Sequence, residues 1–114
     1  MGSAFMYIKL IRVTTTSDRK AGFLECQKYW NTVMSSCPGF VDSIVATDVS
    51  DECEVVIIAI WRNKESLDRF MAGDHDVVEQ QSGISEFYDD LKIDYLSVEQ
   101  EFFPSFAGHI LFGE

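Results

Sequence analysis

The polar cluster Asp74-His75-Asp76 holds the residue types best suited to acid–base chemistry in this chain. A histidine exchanges a proton near neutral pH, and neighbouring carboxylates can orient it, so His75 is the candidate catalytic base. The plainer alternative is a solvated helix start with Asp74 as the N-cap. No metal site is predicted, because the only other histidine is His109 and no spacing indicates a ligand set.

Three aromatic residues at helix or strand spacing are candidate walls of a binding site. Trp30 lies on the apolar stripe of a long predicted helix, Trp61 ends a predicted strand, and Phe70 lies on the inner face of the following helix. Together they could line a cavity between helix and sheet. Ordinary core packing explains the same pattern, so the cavity stays one of two alternatives.

Lys9 is unusual because it lies between Tyr7 and Ile11 on one face of a strand that should be buried. Its ammonium group could snorkel to the sheet edge, which is the plainer alternative. It could instead contact an anionic ligand or a carboxylate such as Asp94. Lys9 is therefore a candidate ligand contact, and Tyr7 beside it is a candidate hydrogen-bond donor.

The elements that position these residues follow from hydrophobic periodicity. Glu54–Trp61 is an apolar run without alternation, which predicts a strand covered on both faces. Hydroxyls of the run Thr14–Ser17 are predicted to cap the first helix, and Asp18 suits its N-terminus electrostatically. Asn63 is predicted to cap the second helix. Strands are predicted at 5–13, 40–49, 55–61 and 91–99, helices at 19–37 and 63–73, a further short helix at 74–81, and a helical turn within 84–90.

The resulting β-α-β-β-α-β order predicts an α+β fold of the split βαβ, or ferredoxin-like, type. Its antiparallel sheet carries helices on one face only, so a monomer would leave several hundred Å² of apolar surface in water. A homodimer through the free sheet face would bury this surface. The domain is predicted at 6–101, with 1–5 an added or disordered start and 102–114 an apolar tail packing on the domain or its partner.

Composition excludes several classes of partner. The net charge of −10 opposes binding to nucleic acid or to an anionic membrane. No apolar stretch is long enough to span a bilayer, and no signal peptide is visible. Three cysteines without a pairing pattern predict reduced thiols and a cytoplasmic protein.

One series of motifs is found in a known family. Pro38-Gly39-Phe40 follows the long helix, a hairpin comes next, and then Ile60–Leu67, Phe70 and His75. The series resembles the antibiotic biosynthesis monooxygenase group of dimeric α+β barrels over about 7–98, and within it the bacterial DUF4937 (YdbC-like) proteins. The resemblance implies a small apolar or aromatic ligand, no cofactor, and an electron-rich substrate that is deprotonated and reacts with dioxygen directly.

The same resemblance argues against haem degradation. Haem-degrading members use an asparagine, a tryptophan and a histidine at positions that match Ile11, Phe70 and Gln80 here. Two other classes stay open beside the monooxygenase. One is a non-enzymatic binding or sensing module that uses the same pocket, and the other is a structural dimer whose pocket is filled by its own side chains.

Overall fold

The computed structural model describes residues 6–99. Its strands and helices follow the predicted β-α-β-β-α-β order, with the further short helix and helical turn before the last strand. The predictions for 1–5 and 102–114 lie outside this range. The strands are β1 (Tyr7–Thr14), β2 (Phe40–Asp48), β3 (Asp51–Trp61) and β4 (Asp90–Ser97), and the helices are α1 (Lys20–Ser35), α2 (Lys64–Ala72) and α3 (Asp74–Ser82), followed by a 3-10 turn at Ile84–Phe87.

The four strands form one antiparallel sheet in the order β2-β3-β1-β4. The non-alternating run in β3 belongs to a central strand, both edges of which pair with neighbouring strands. Val55, Ile57 and Ala59 are buried on one face, whereas Val56 and Ile58 on the other face are half-buried. The ferredoxin-like α+β class is therefore confirmed.

One face of the sheet, here called the helix face, packs against the helices. Side chains from Val13, Val55 and Trp61 meet Phe23 of α1 and Leu67 of α2, and all five are almost completely buried. Burying one large apolar side chain contributes roughly 1.5–3 kcal/mol, so this layer is the main source of stability.

The other face, here called the open face, is a second apolar surface. It is formed by Ile8, Leu10, Ile44, Val56, Ile58, Ile60 and Leu96, as the strand registers show. Ile44, Ile58 and Leu10 lie side by side across three strands. Ile44 and Leu96 on the outer strands expose 43% and 47% of their surface.

A register shift at the start of β2 changes the face on which Phe40 lies. Simple alternation groups Phe40 with Ile44 on one face, but the pairing slips between Phe40 and Asp42. Phe40 therefore packs edge-on against Trp61 on the helix face, with ring centroids 5.3 Å apart. A β-bulge is the reason, since an extra residue reverses the alternation of side chains.

The predicted helix starts have mixed outcomes. Asn63 caps α2 as predicted, because its side chain accepts a hydrogen bond from the Ser66 amide at 2.9 Å. The cap predicted for the first helix is wrong, since Arg19 occupies that position and no side chain caps it. The Asp74 N-cap is also wrong, because α3 begins at Asp74 itself after an uncapped Gly73.

Candidate functional site

A cavity of about 130 Å³ lies between the helices and the helix face of the sheet. Its wall is mostly apolar, with polar groups from Lys9, Gln27, His75, Glu79 and Tyr88. Leu91 and Ile93 of β4 also line the cavity while exposing 38% and 37% of their surface. The cavity therefore approaches solvent along this outer strand.

Aromatic side chains form one end of the cavity. The rings of Trp61 and Phe70 stack with centroids 5.3 Å apart, and Trp30 meets Phe70 nearly edge-on at 6.3 Å. These residues come from β3, α2 and α1, so three elements converge there. Ring pairs of this kind contribute about 0.5–1.5 kcal/mol beyond area burial, which makes this wall well defined.

His75 belongs to the same aromatic cluster. Its ring centroid lies 5.2 Å from that of Trp30 and 5.9 Å from that of Phe70, and its side chain is only 18% exposed. The neighbouring carboxylates Asp74 and Asp76 are exposed. The alternative of a solvated helix start therefore holds for the two aspartates. It does not hold for the His75 imidazole, which packs against the cavity wall.

A carboxylate adjoins the imidazole on its outer side. His75 Nδ1 lies 3.1 Å from Asp76 Oδ1, close enough for a hydrogen bond when Nδ1 carries the proton. Asp76 could then orient the ring, leaving Nε2 as the basic nitrogen.

Lys9 is buried on the helix face with 5% of its surface exposed. Its Nζ lies 3.3 Å from the Met71 Sδ, and burial lowers the pKa of its ammonium group while Glu79 opposes this shift. The predicted snorkelling is wrong, because β1 is a central strand and α2 covers the side chain. Asp94 cannot be its partner, since it pairs beside Leu10 and faces the opposite side.

Trp61 contributes a buried polar atom without a hydrogen-bond partner. Its side chain is fully buried, and its Nε1 makes no hydrogen bond within the described residues. The Trp30 indole differs, because its Nε1 donates to Ser82 Oγ at 3.2 Å.

Five of the six predicted site residues line this cavity: Lys9, Trp30, Trp61, Phe70 and His75. Tyr7 does not line it, and its ring stacks on Tyr95 with centroids 6.3 Å apart. The chemical roles suggested for these side chains stay predictions.

Sequence reasoning missed Gln27 and Glu79. Helical spacing was the signal that could have indicated both residues. Position 27 belongs to the buried series 23, 27, 30 and 34 of α1, and Glu79 lies one turn after His75 on α3. Gln27 is held by a 3.0 Å hydrogen bond from its Nε2 to Asn31 Oδ1.

No functional role is assigned to the other reactive groups near the site. Ligand atoms of His75, Asp76 and Glu79 lie within 4.8 Å of one another, but Asp76 is in solvent and all three come from one helical turn. Burial raises the pKa of the Cys26 and Cys37 thiols, aided by nearby carboxylates, which keeps them protonated at neutral pH.

Solved structures with this architecture identify the class of fold. A candidate antibiotic biosynthesis monooxygenase from Nitrosomonas europaea is 11% identical with a TM-score of 0.72, covering 86% of this chain and 94% of that one. SnoaB from Streptomyces nogalater, a cofactor-independent oxygenase, is 16% identical with a TM-score of 0.73, covering 85% and 96%. A conserved protein of unknown function from Bacteroides thetaiotaomicron, described as a possible oxidoreductase, is 17% identical with a TM-score of 0.71, covering 83% and 99%.

The protein therefore has the fold of the antibiotic biosynthesis monooxygenase-like proteins. Residues 7–96 match the family described as "Domain of unknown function (DUF4937)", and the chain belongs to that family. No curated protein sequence matches it. Within residues 6–99 no helix has the length and apolar character needed to cross a membrane.

Proposed function

We propose that the protein binds a small, single-ring aromatic or apolar molecule in the helix-face cavity and oxygenates it without a cofactor. The observation that carries the proposal is the cavity beside Trp30 and Trp61, walled by aromatic rings and bordered by His75 and Lys9. Such a site combines apolar walls with a few polar groups, as ligand sites commonly do.

Cavity size limits the ligand. An engineered cavity of about 150 Å³ binds benzene, so the 130 Å³ found here suits one ring. Drug-sized ligands occupy roughly 300 Å³ or more. A multi-ring substrate would therefore require the outer strand β4 to move.

The proposed reaction begins with proton removal from an electron-rich ring such as a quinol. His75 is the proposed base, because its imidazole packs in the aromatic cluster at the end of the cavity. The anion reacts with dioxygen; one oxygen atom stays on a ring carbon and the other leaves as water. A quinol and dioxygen thereby give a hydroxyquinone and water, with all electrons supplied by the quinol.

SnoaB supports this proposal through its description as a cofactor-independent oxygenase. At 16% identity its similarity extends to the fold, so the chemistry must be argued from this chain's own residues.

We also propose a homodimer formed by the open face. The row Ile44, Ile58 and Leu10 is apolar at the centre, while Asp42 and Asp94 lie on the outer strands. Burying such a surface contributes about 25 cal/mol per Å², which outweighs screened repulsion between acidic subunits. The three unpaired cysteines are the reason to propose a cytoplasmic location.

Oxygen uptake with methylhydroquinone, combined with mass spectrometry after ¹⁸O₂ labelling, tests the enzyme. We expect protein-dependent uptake and one labelled oxygen in a hydroxyquinone product, whereas autoxidation gives quinone and peroxide. His75→Ala should abolish labelling. Ala59→Leu, which fills the cavity, should abolish it too, while the same change at exposed Ala72 should have little effect.

The alternative function is a binding or sensing module. Saturable binding of single-ring ligands that Ala59→Leu removes, without any labelled product, would establish that alternative and contradict the oxygenase.

A further inference from the structure

We infer that Lys9 is a nucleophile that forms an imine with a small apolar or aromatic aldehyde bound in the helix-face cavity. The inference goes beyond the proposed function, because imine formation needs neither dioxygen nor the His75 base. It is carried by a primary amine that lines a mostly apolar cavity and has no strong hydrogen-bond acceptor within the described part of the chain.

Lys9 is the one lysine among residues 6–99 that is buried, with 5% of its surface exposed. Its hydrogen-bond contact within this range is the Met71 thioether, a weak acceptor whose Sδ lies 3.3 Å from Nζ. No carboxylate there forms an ion pair with it. The ammonium form is therefore poorly solvated and poorly paired, which favours the neutral, nucleophilic amine.

Lys28 is an exposed lysine in the opposite electrostatic setting. Its Nζ lies 2.8 Å from Glu25 Oε2, and this hydrogen-bonded carboxylate raises the pKa of the lysine. Burial instead lowers the pKa of Lys9, and Glu79 opposes part of this shift. At a given pH a larger fraction of Lys9 than of Lys28 is therefore the neutral amine, so Lys9 should react first.

The sheet register places small and aliphatic side chains around the amine. Lys9 pairs with Ala59, while Ile11 and Ile57 form the next pair on the same face, and all of them line the cavity. The cavity of about 130 Å³ is close to the roughly 150 Å³ that holds benzene, so a single-ring aldehyde suits it. These aliphatic walls offer no hydrogen bonds to water, which would protect an imine from hydrolysis.

Glu79 favours a neutral partner for Lys9 over an anionic one. It lines the same cavity, and its charge acts on Lys9. An anionic ligand would be repelled by this carboxylate, whereas an aldehyde brings no charge. Imine formation also replaces an ammonium group with three N–H donors by a neutral nitrogen without any, which removes the cost of burying a poorly paired charge.

The reaction is a condensation without a change in oxidation state. The Lys9 nitrogen attacks the aldehyde carbon and forms a C–N bond as the C=O π-bond breaks, and one proton moves from nitrogen to oxygen. The C–O bond of this carbinolamine then breaks, the second nitrogen proton is transferred to the departing oxygen, and water leaves as C=N forms. Glu79 is the proposed carrier of both protons. The other titratable groups that line the cavity or pair beside Lys9 are His75, Tyr88 and Tyr95.

Reductive trapping of benzaldehyde with sodium cyanoborohydride, followed by peptide mapping by mass spectrometry, tests the inference. We expect one benzyl group per chain on Lys9, added at least about tenfold faster than on Lys28. The rate at Lys9 should reach half its limit at a lower pH than the rate at Lys28, because their pKa values shift in opposite directions. Excess toluene, which competes for the cavity, should protect Lys9 and not Lys28.

Variants separate the cavity amine from surface amines. Lys9→Met should lose the rapid labelling, whereas Lys28→Met, which removes an exposed lysine, should keep it. Ala59→Leu, which fills the space opposite the amine, should slow it. Thermal unfolding of Lys9→Met and Ala59→Leu checks that the loss of labelling does not come from misfolding.

The outcomes distinguish this inference from the oxygenase. Equal labelling rates at Lys9 and Lys28, or labelling of Lys9 that toluene leaves unchanged, would overturn the inference. An ¹⁸O-labelled hydroxyquinone without rapid trapping at Lys9 would overturn the inference alone. Rapid trapping at Lys9 without any ¹⁸O-labelled product would support the inference and contradict the oxygenase alone.

Discussion

The two faces of the sheet are both apolar, but they differ in where they hold polar groups. The helix face encloses a lysine, a histidine and a glutamate around a cavity. The open face is apolar across its central strands, with its charged residues towards the ends and outer strands. Polar groups kept at a desolvation cost indicate chemistry or binding, whereas uninterrupted apolar surface indicates association.

Hydrophobicity alone therefore does not distinguish a binding site from an interface. Ile57 and Ile58 are neighbours in β3 and have the same side chain, yet one lines the cavity and the other lies on the open face. The alternation of a strand sends them to opposite environments.

The largest expected effect comes from a charge at the centre of the open face. Ile58→Asp should weaken dimerisation by roughly 3–4 kcal/mol, because an aspartate would be buried without a partner. Analytical ultracentrifugation at micromolar concentration should then show monomer, while the wild type sediments as dimer. Val49→Asp, at a fully exposed turn position, should remain dimeric. A dimeric Ile58→Asp would mean that the open face is not the interface.

The next largest effect is a loss of stability at Gly39, which packs against the start of α2. Gly39 has φ +85°, and a Cβ there would lie 2.0 Å from Ser66 Oγ at the start of α2. Gly39→Ala should therefore lower the free energy of unfolding by about 3 kcal/mol, from left-handed strain and displacement of α2. Gly83 also has positive φ but no atom within 4 Å of a Cβ, so Gly83→Ala should cost about half as much. Equal losses in urea denaturation would contradict the packing argument.

A stability change of opposite sign is expected at Lys9. Burial lowers the pKa of Lys9 in the folded state. At pH values between the folded-state and unfolded-state pKa, the unfolded chain therefore binds more protons. The amount by which Lys9 lowers the free energy of unfolding thus decreases as pH rises. Lys9→Met should be more stable than wild type by about 2 kcal/mol at neutral pH. Denaturation at pH 7 and pH 10 should show this gain narrowing at the higher pH. A constant gain would show that the charge is not its cause.

The smallest effect tests the cap that positions α2. Asn63→Ala should lower stability by about 1 kcal/mol, because the Ser66 amide and hydroxyl both lose an acceptor. Lys64→Ala removes only an exposed ion pair with Asp68 and should leave stability nearly unchanged. Similar losses in thermal unfolding would contradict the assigned role of the cap.

Local pattern was enough to predict the fold and the aromatic end of the cavity. The uninterrupted β3 run marks a central strand, and helical spacing brings Trp30 and Phe70 inward. Phe40 could not be placed, because nothing in the residue types reveals the bulge that turns it towards Trp61. Glu79 was missed because its relation to Lys9 joins residues seventy positions apart, which only the folded chain brings near each other.

The central claim is that each chain holds one single-ring molecule on the helix face. Both tryptophans of the chain line the cavity, so tryptophan fluorescence during titration with toluene reports its occupation directly. The account predicts a saturable change with one site per chain, lost in Ala59→Leu and retained in Ala72→Leu. A change that never saturates, or that survives in Ala59→Leu, would contradict it.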